Sequence, residues 1–301
     1  MSNQKNKIMT TLKKETSYDK YKAKILKCLE SCRTWKDEGI WKPTKTKLAY
    51  ILPVSDAEGV RANKNRAVAI KKYTKCDCVK CLGEKLVGLH QYAHHLNSSQ
   101  QLCMKFFSEL IDNDLCATEK MVMFIKNALG IDIHVGAKCT FEYAEKFDPY
   151  LFDVDKDGNL IKGYEGTSFD FHIKDGSTEI YFEIKFTEDG FKKEKEDPRH
   201  KAKAKKYMEC APKFLQDKIK TPGEFLKQYQ IYRNIIRAKD SDKYIVFITD
   251  GNNPATNRDI RSIEDLHLPK NIIFKTWQEL IAFYPAKVEL PIQLKAIQDY
   301  K

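Results

Sequence analysis

Two stretches of this chain carry apolar and aromatic residues at the spacing of strands, residues 168–173 and 178–186, and Asp175-Gly176 lies between them. The pattern predicts a β-hairpin, because an Asp-Gly dipeptide suits a two-residue turn and β-branched and aromatic side chains suit the flanking strands. With Asp175 and Gly176 as the central turn residues, Ile173 faces Thr178 and Asp170 faces Tyr181. Side chains alternate along a strand, so Asp170, Tyr181, Glu183 and Lys185 project from one side. Ile180, Phe182, Ile184 and Phe186 take the other, continuously apolar side, which is a core face. Asp170 and Glu183 become diagonal neighbours, roughly 7–8 Å apart at the backbone.

Elsewhere the periodicity alternates between helical and extended. Tyr21, Ile25, Leu26, Leu29 and Cys32 share a helical face, and residues 48–53 form a short apolar run that suits a strand. Residues 91–111 predict one or two helices, interrupted at 96–100, where Ser98 or Ser99 can cap the second. The domain boundary is placed there: 1–98 is a basic, Cys/His-containing, mainly helical region, and 99–301 is the domain that holds the hairpin. A helix over 118–129 stops at Gly130, and residues 131–143 approach or form the first strand of a sheet. Thr221-Pro222-Gly223-Glu224 signals a helix start with Phe225, Tyr229, Tyr232 and Ile236 on its packing face. Residues 243–249 read as a strand buried on both sides, followed by a helix at 259–266, a strand at 271–275 and a helix at 277–283. The fold class is therefore α/β.

Composition sharpens this picture in three ways. A chain of 301 residues with 42% hydrophobic content can bury a sizeable core. Its net charge of +11 favours a polyanionic partner, and basic runs at 61–75 and 192–206 are either nucleic-acid contacts or solvated faces. The polar start lacks a signal peptide, no apolar run reaches membrane length, and nine dispersed cysteines read as reduced thiols, which together suggest a cytoplasmic protein. Cys76, Cys78 and Cys81, with His90 or His94, form a candidate zinc site, because thiolates and imidazoles are the usual ligands. Only Cys78 and Cys81 have the paired spacing, so packed thiols are the other reading. Residues 153–164 open like a calcium loop but end on Tyr164 where a glutamate is required, and residues 156–159 read as a turn.

The charged side of the hairpin carries the chemistry. Two carboxylates within reach of one point suit a hard divalent cation, and Lys185 can orient water or stabilise charge on a phosphate. Asp170 on one strand followed by Glu183-Ile184-Lys185 on the next resembles the PD-(D/E)XK phosphodiesterase superfamily, with Phe169 standing where that family has its proline. The wording around the motif looks like a branch of uncharacterised prokaryotic restriction-endonuclease-like proteins. The resemblance implies a restriction-endonuclease-like αβββαβ core with a mixed central sheet, preceded by the mainly helical N-terminal region. It implies a DNA endonuclease of restriction or defence type using Mg2+, or Mn2+ in its place, and leaving 5′-phosphates. Asp170, Glu183 and the Ile184 carbonyl would hold the metal and Lys185 would position water. Glu165 and, on the first helix, Glu119 are further candidate acids. Gln228 and Tyr232 match the Gln-x-x-x-Tyr motif of RecB-like members, with Gln230 competing for the glutamine role and Arg233 and Asn234 adding donors. Lys192, Lys193, Arg199, Lys201, Lys203 and Arg233 would contact DNA, and a homodimer would cut both strands. Against this stand a non-catalytic nucleic-acid-binding protein on the same fold, a Cys/His metal-binding regulatory module, a transposase-type nuclease, or RNA as substrate.

Overall fold

A computed structural model of the chain describes residues 15–36, 39–41, 46–53, 63–74, 93, 95–144, 157, 159 and 169–300. The centre is a five-stranded mixed sheet in the order β3-β4-β5-β6-β7, formed by Lys138–Tyr143, Phe169–Asp175, Thr178–Ile184, Lys243–Thr249 and Ile272–Thr276. β3, β4 and β5 pair antiparallel, and β5, β6 and β7 pair parallel. A separate small ribbon joins β1 (Gly39–Trp41) to β2 (Thr46–Leu48). The apolar run at 48–53 is thus mostly loop, anchored where Ile51 bridges His95.

One face of the sheet packs against α1 (Ser17–Cys32), α3 (Ser99–Ser108), α4 (Glu119–Leu129) and α11 (Ile292–Gln298). Phe107 of α3 stacks on Phe171 of β4 at 4.1 Å between ring centroids, next to Phe182 of β5. Each phenylalanine buried in this way contributes roughly 1.5–3 kcal/mol. The same cluster takes in Tyr21, Ile25 and Leu29 of α1, so the core continues across residue 98. The other face is covered by α5 (Pro198–Cys210), α6 (Lys213–Lys218), α7 (Pro222–Lys227) and α8 (Tyr229–Ile235). The remaining helices are α2 (Asn63–Thr74), α9 (Pro254–Arg261) and α10 (Trp277–Ile281). α9 starts five residues earlier than the periodicity indicates, because Asn253 caps it and Pro254 occupies its first turn.

The hairpin forms where expected, but its turn lies one residue further on. Asp175 pairs with Thr178, leaving Gly176 and Ser177 as the loop, with Gly176 at φ 59°. Glycine at the first central position is the requirement of a type II′ turn, and it outcompetes Asp-Gly as the central pair here. Tyr181 consequently pairs with His172 rather than with Asp170, a slip of two residues that keeps every side chain on its predicted face. The strand direction then brings Asp170 level with Glu183 instead of diagonal to it.

Candidate active site

Asp170 Oδ2 accepts the main-chain N–H of Ile184 at 2.6 Å, which fixes the carboxyl against the end of β5. Its other oxygen has no hydrogen-bond donor among the described residues. Lys185 Nζ donates to Glu183 Oε1 at 2.8 Å, so Asp170, Glu183 and Lys185 form one cluster. The Asp170 carboxyl is pushed well above the usual range, first by burial and then by the charges of Glu183 and Glu142, against which Lys185 and the Ile184 N–H work. Burial alone would lower the Lys185 ammonium, but Glu183, Glu188 and Asp170 outweigh it, and the group is held protonated. Among the described residues, the carboxylates of Asp170, Glu183 and Glu142 outnumber the Lys185 ammonium in this cluster.

Glu142 is an acid of the site that periodicity did not single out. It sits in β3 at φ 48°, a left-handed conformation uncommon outside glycine, and accepts Gln100 Nε2 at 2.8 Å. No sequence pattern signals that twist. Glu119, the acid proposed from the first helix, is instead exposed in the first turn of α4, where it meets the helix dipole.

Glu183 is oriented from α8. Gln230 Nε2 donates to its Oε1 at 2.7 Å and Asn234 Nδ2 to its Oε2 at 2.8 Å. The residues named from the RecB-like motif are placed differently. The helix beginning at Pro222 does not run unbroken to 236; it ends at Gln228, whose backbone leaves helical geometry at φ −128°, and α8 starts afresh at Tyr229. Gln228 Nε2 therefore donates to Ser262 Oγ at 2.7 Å, away from Glu183. Tyr232 packs against Phe225, and burial holds its hydroxyl at about 12. Gln230 and Asn234, four apart on one helical face, occupy the positions at the carboxylate.

Beside Lys185 opens a cleft of about 470 Å³ lined by Gly190, Lys192, Lys193, Gln230 and Arg258, among others. Gln230 ties the two together, since its Oε1 also accepts the Lys192 N–H at 2.9 Å. The basic stretch beyond is ordered: Lys201 pairs with Glu196 at 3.4 Å, Arg199 is exposed on α5, and Lys203 is buried against the Tyr229 ring. Arg233 is likewise buried, its guanidinium over Tyr229 at 5.3 Å, which removes it from the solvent-facing contacts. Glu165, Cys76, Cys78, Cys81, His90 and His94 lie outside the described residues. The six described cysteines are free thiols.

Among the described residues no three His, Cys, Asp or Glu side chains close on one point. A Mg2+ site does not need that, because this ion is held by one or two carboxylates with water and substrate phosphate. The Asp170 oxygen without a donor, next to the surplus of carboxylates, fits such an ion with Glu183 and the Ile184 carbonyl.

A mixed sheet with three antiparallel strands, a helical crossover and a parallel fourth strand, carrying an acid pair and a lysine where β5 ends, defines a restriction-endonuclease-like protein. A family profile described as restriction endonuclease associating with ARP matches residues 57–297, and the chain belongs to that family. Comparison with curated proteins and with solved structures finds no match. Among the described residues no helix is long and apolar enough to cross a membrane.

Proposed function

We infer that the protein is a metal-dependent DNA endonuclease of restriction or defence type, with Asp170, Glu183 and Lys185 as its catalytic residues. The observation that carries this reading is the half-buried Asp170 carboxyl, one oxygen of which has no donor among the described residues, beside Glu183 and the Lys185 that lines a basic cleft. A Mg2+ ion held by Asp170, Glu183 and the Ile184 carbonyl would polarise the scissile phosphate and acidify a water molecule. Lys185, kept protonated by its acidic neighbours, donates hydrogen bonds and stabilises charge that develops on the phosphate. Gln230 and Asn234 hold Glu183 in one rotamer, so that its oxygens do not have to reorganise as the reaction proceeds. Lys192 and Lys193 on the cleft wall receive the DNA backbone, which supplies affinity without reading sequence. A homodimer would bring the two sites needed to cut both strands.

The test is plasmid cleavage by the purified protein in Mg2+, Mn2+ or EDTA, with Lys185→Ala alongside. Metal-dependent nicking or linearisation that falls by about 10²–10³-fold in the variant is expected. Bound but uncut DNA with the wild type would overturn the catalytic reading.

A further inference from the structure

The cleft has a second wall, formed by α9, and that wall contributes a cation the basic runs of the sequence do not include. Arg258 is exposed at the cleft, while its neighbour Asp259 is 1% exposed. The Asp259 carboxylate is a hub. Its Oδ2 accepts the Phe191 N–H at 2.9 Å, and its Oδ1 accepts Lys193 Nζ at 2.8 Å and Arg258 Nε at 3.4 Å. Gly190 makes this possible: its φ is 78°, and a Cβ there would lie 2.2 Å from Asp259 Oδ2. One buried acid thus closes the 190–193 loop onto α9 and sets two cations side by side.

The way each cation is held differs. Arg258 is tethered only through Nε, which leaves both terminal nitrogens without a partner among the described residues. A guanidinium presented in this manner offers the planar fork that takes a phosphate through two parallel hydrogen bonds. Lys193 shares the tether but keeps a part-exposed ammonium. The carboxylates of the cleft do not cancel the pair: Glu188 is turned to the Phe186 N–H, and Asp189 stands exposed at the rim. We propose that Arg258, with Lys193 beside it on the same Asp259 carboxylate, is the clamp for a DNA backbone phosphate flanking the one that Lys185 faces. The assignment rests on the endonuclease reading. It adds a phosphate subsite on α9, and it makes Asp259 the residue that positions both cations.

Counterion release gives a direct readout, because each phosphate contact adds about −0.9 to the slope of log affinity against log salt. Fluorescence anisotropy on a 30-base-pair duplex in EDTA, across a salt series, measures this without cutting. For Arg258→Ala the slope should shrink by about one unit and the affinity at ~0.1 M salt should fall about tenfold. Arg258→Lys should keep most of the slope and lose affinity a few-fold, since charge survives and the fork does not. Lys120→Ala, on α4 across the sheet, removes the same charge and should leave the slope unaltered. Arg258 is exposed, so its variants should melt with the wild type. If the wild type binds and Arg258→Ala has the same slope, or if Lys120→Ala shifts it equally, the clamp is wrong while the endonuclease reading stands. If the wild type binds no duplex at any salt, the endonuclease reading fails and takes the clamp with it.

Discussion

The hairpin of β4 and β5 carries two acid clusters, and their opposite electrostatic balance sets the proposed site apart. Toward the turn, Glu179 accepts hydrogen bonds from Tyr181 Oη and from Lys243 Nζ at 3.0 Å, with His172 Nε2 at 3.2 Å. Burial would raise this carboxyl, but those partners outweigh it and bring it down to about 2. At the far end, Asp170 stands half-buried among other acids and is pushed up instead, by desolvation and by Glu183 and Glu142. The strands and their alternation are shared; what differs is whether the chain brings its own cations. Glu179 is satisfied from within, as a structural acid is, whereas among the described residues the cluster at Asp170 sets Asp170, Glu183 and Glu142 against Lys185 and stands beside an open basic cleft. A surplus of buried carboxylate is costly unless a cation arrives from outside, and function accounts for keeping it.

The substitution pair Asp170→Asn and Glu179→Gln tests this contrast most strongly. Asp170→Asn should abolish cleavage, by about 10³-fold or more, while leaving the protein as stable as before or about 1–2 kcal/mol more so. Glu179→Gln should leave cleavage intact and cost about 1–3 kcal/mol in denaturant unfolding. Its pH dependence follows with a definite sign. A folded value near 2, below the ordinary 4.5, contributes stability that is complete above pH 4.5 and is lost as pH falls toward 2. Acid unfolding of Glu179→Gln should therefore be flatter across that window. Next in size, Gln230→Ala or Asn234→Ala should lower cleavage about 10–100-fold with little change in DNA binding, as loss of groups behind a ligand does. The smallest effect belongs to Gln228→Ala, expected to cut DNA at the wild-type rate. A defect there equal to that of Gln230→Ala would mean the Gln228-Tyr232 pair acts after all.

Much of this arrangement is legible from residues alone. Period-two alternation in 178–186 places Glu183 and Lys185 on the face opposite Ile184, and the turn slip leaves that assignment untouched because it spans two residues. The buried strand at 243–249 and the capping box at Thr221 follow from local chemistry, since apolar runs and Thr-x-x-Glu have few other uses. What sequence did not give is tertiary. The break at Gln228 decides between Gln228 and Gln230, which the residues alone leave open, because helical periodicity does not register a single residue that leaves the helix. Glu142 reaches the site through a backbone angle rather than a pattern. Asp259 and Arg258 are adjacent in sequence yet meet Lys193 only through the fold.

The tyrosines of α1 have a consequence in time. Tyr21 Oη bonds the Phe186 carbonyl at 3.0 Å and Asp250 Oδ2 at 2.8 Å, and Tyr18 Oη bonds the Thr187 carbonyl at 2.7 Å. The segment directly after Lys185 is thus propped by a helix that precedes it in the chain and by an acid that follows it, while α1 itself rests on α11, which is made later still. A ribosome-bound chain that stops short of these elements lacks the frame that holds Lys185 beside Glu183. On the endonuclease reading proposed above, the catalytic lysine is set in place only after α11 has been made.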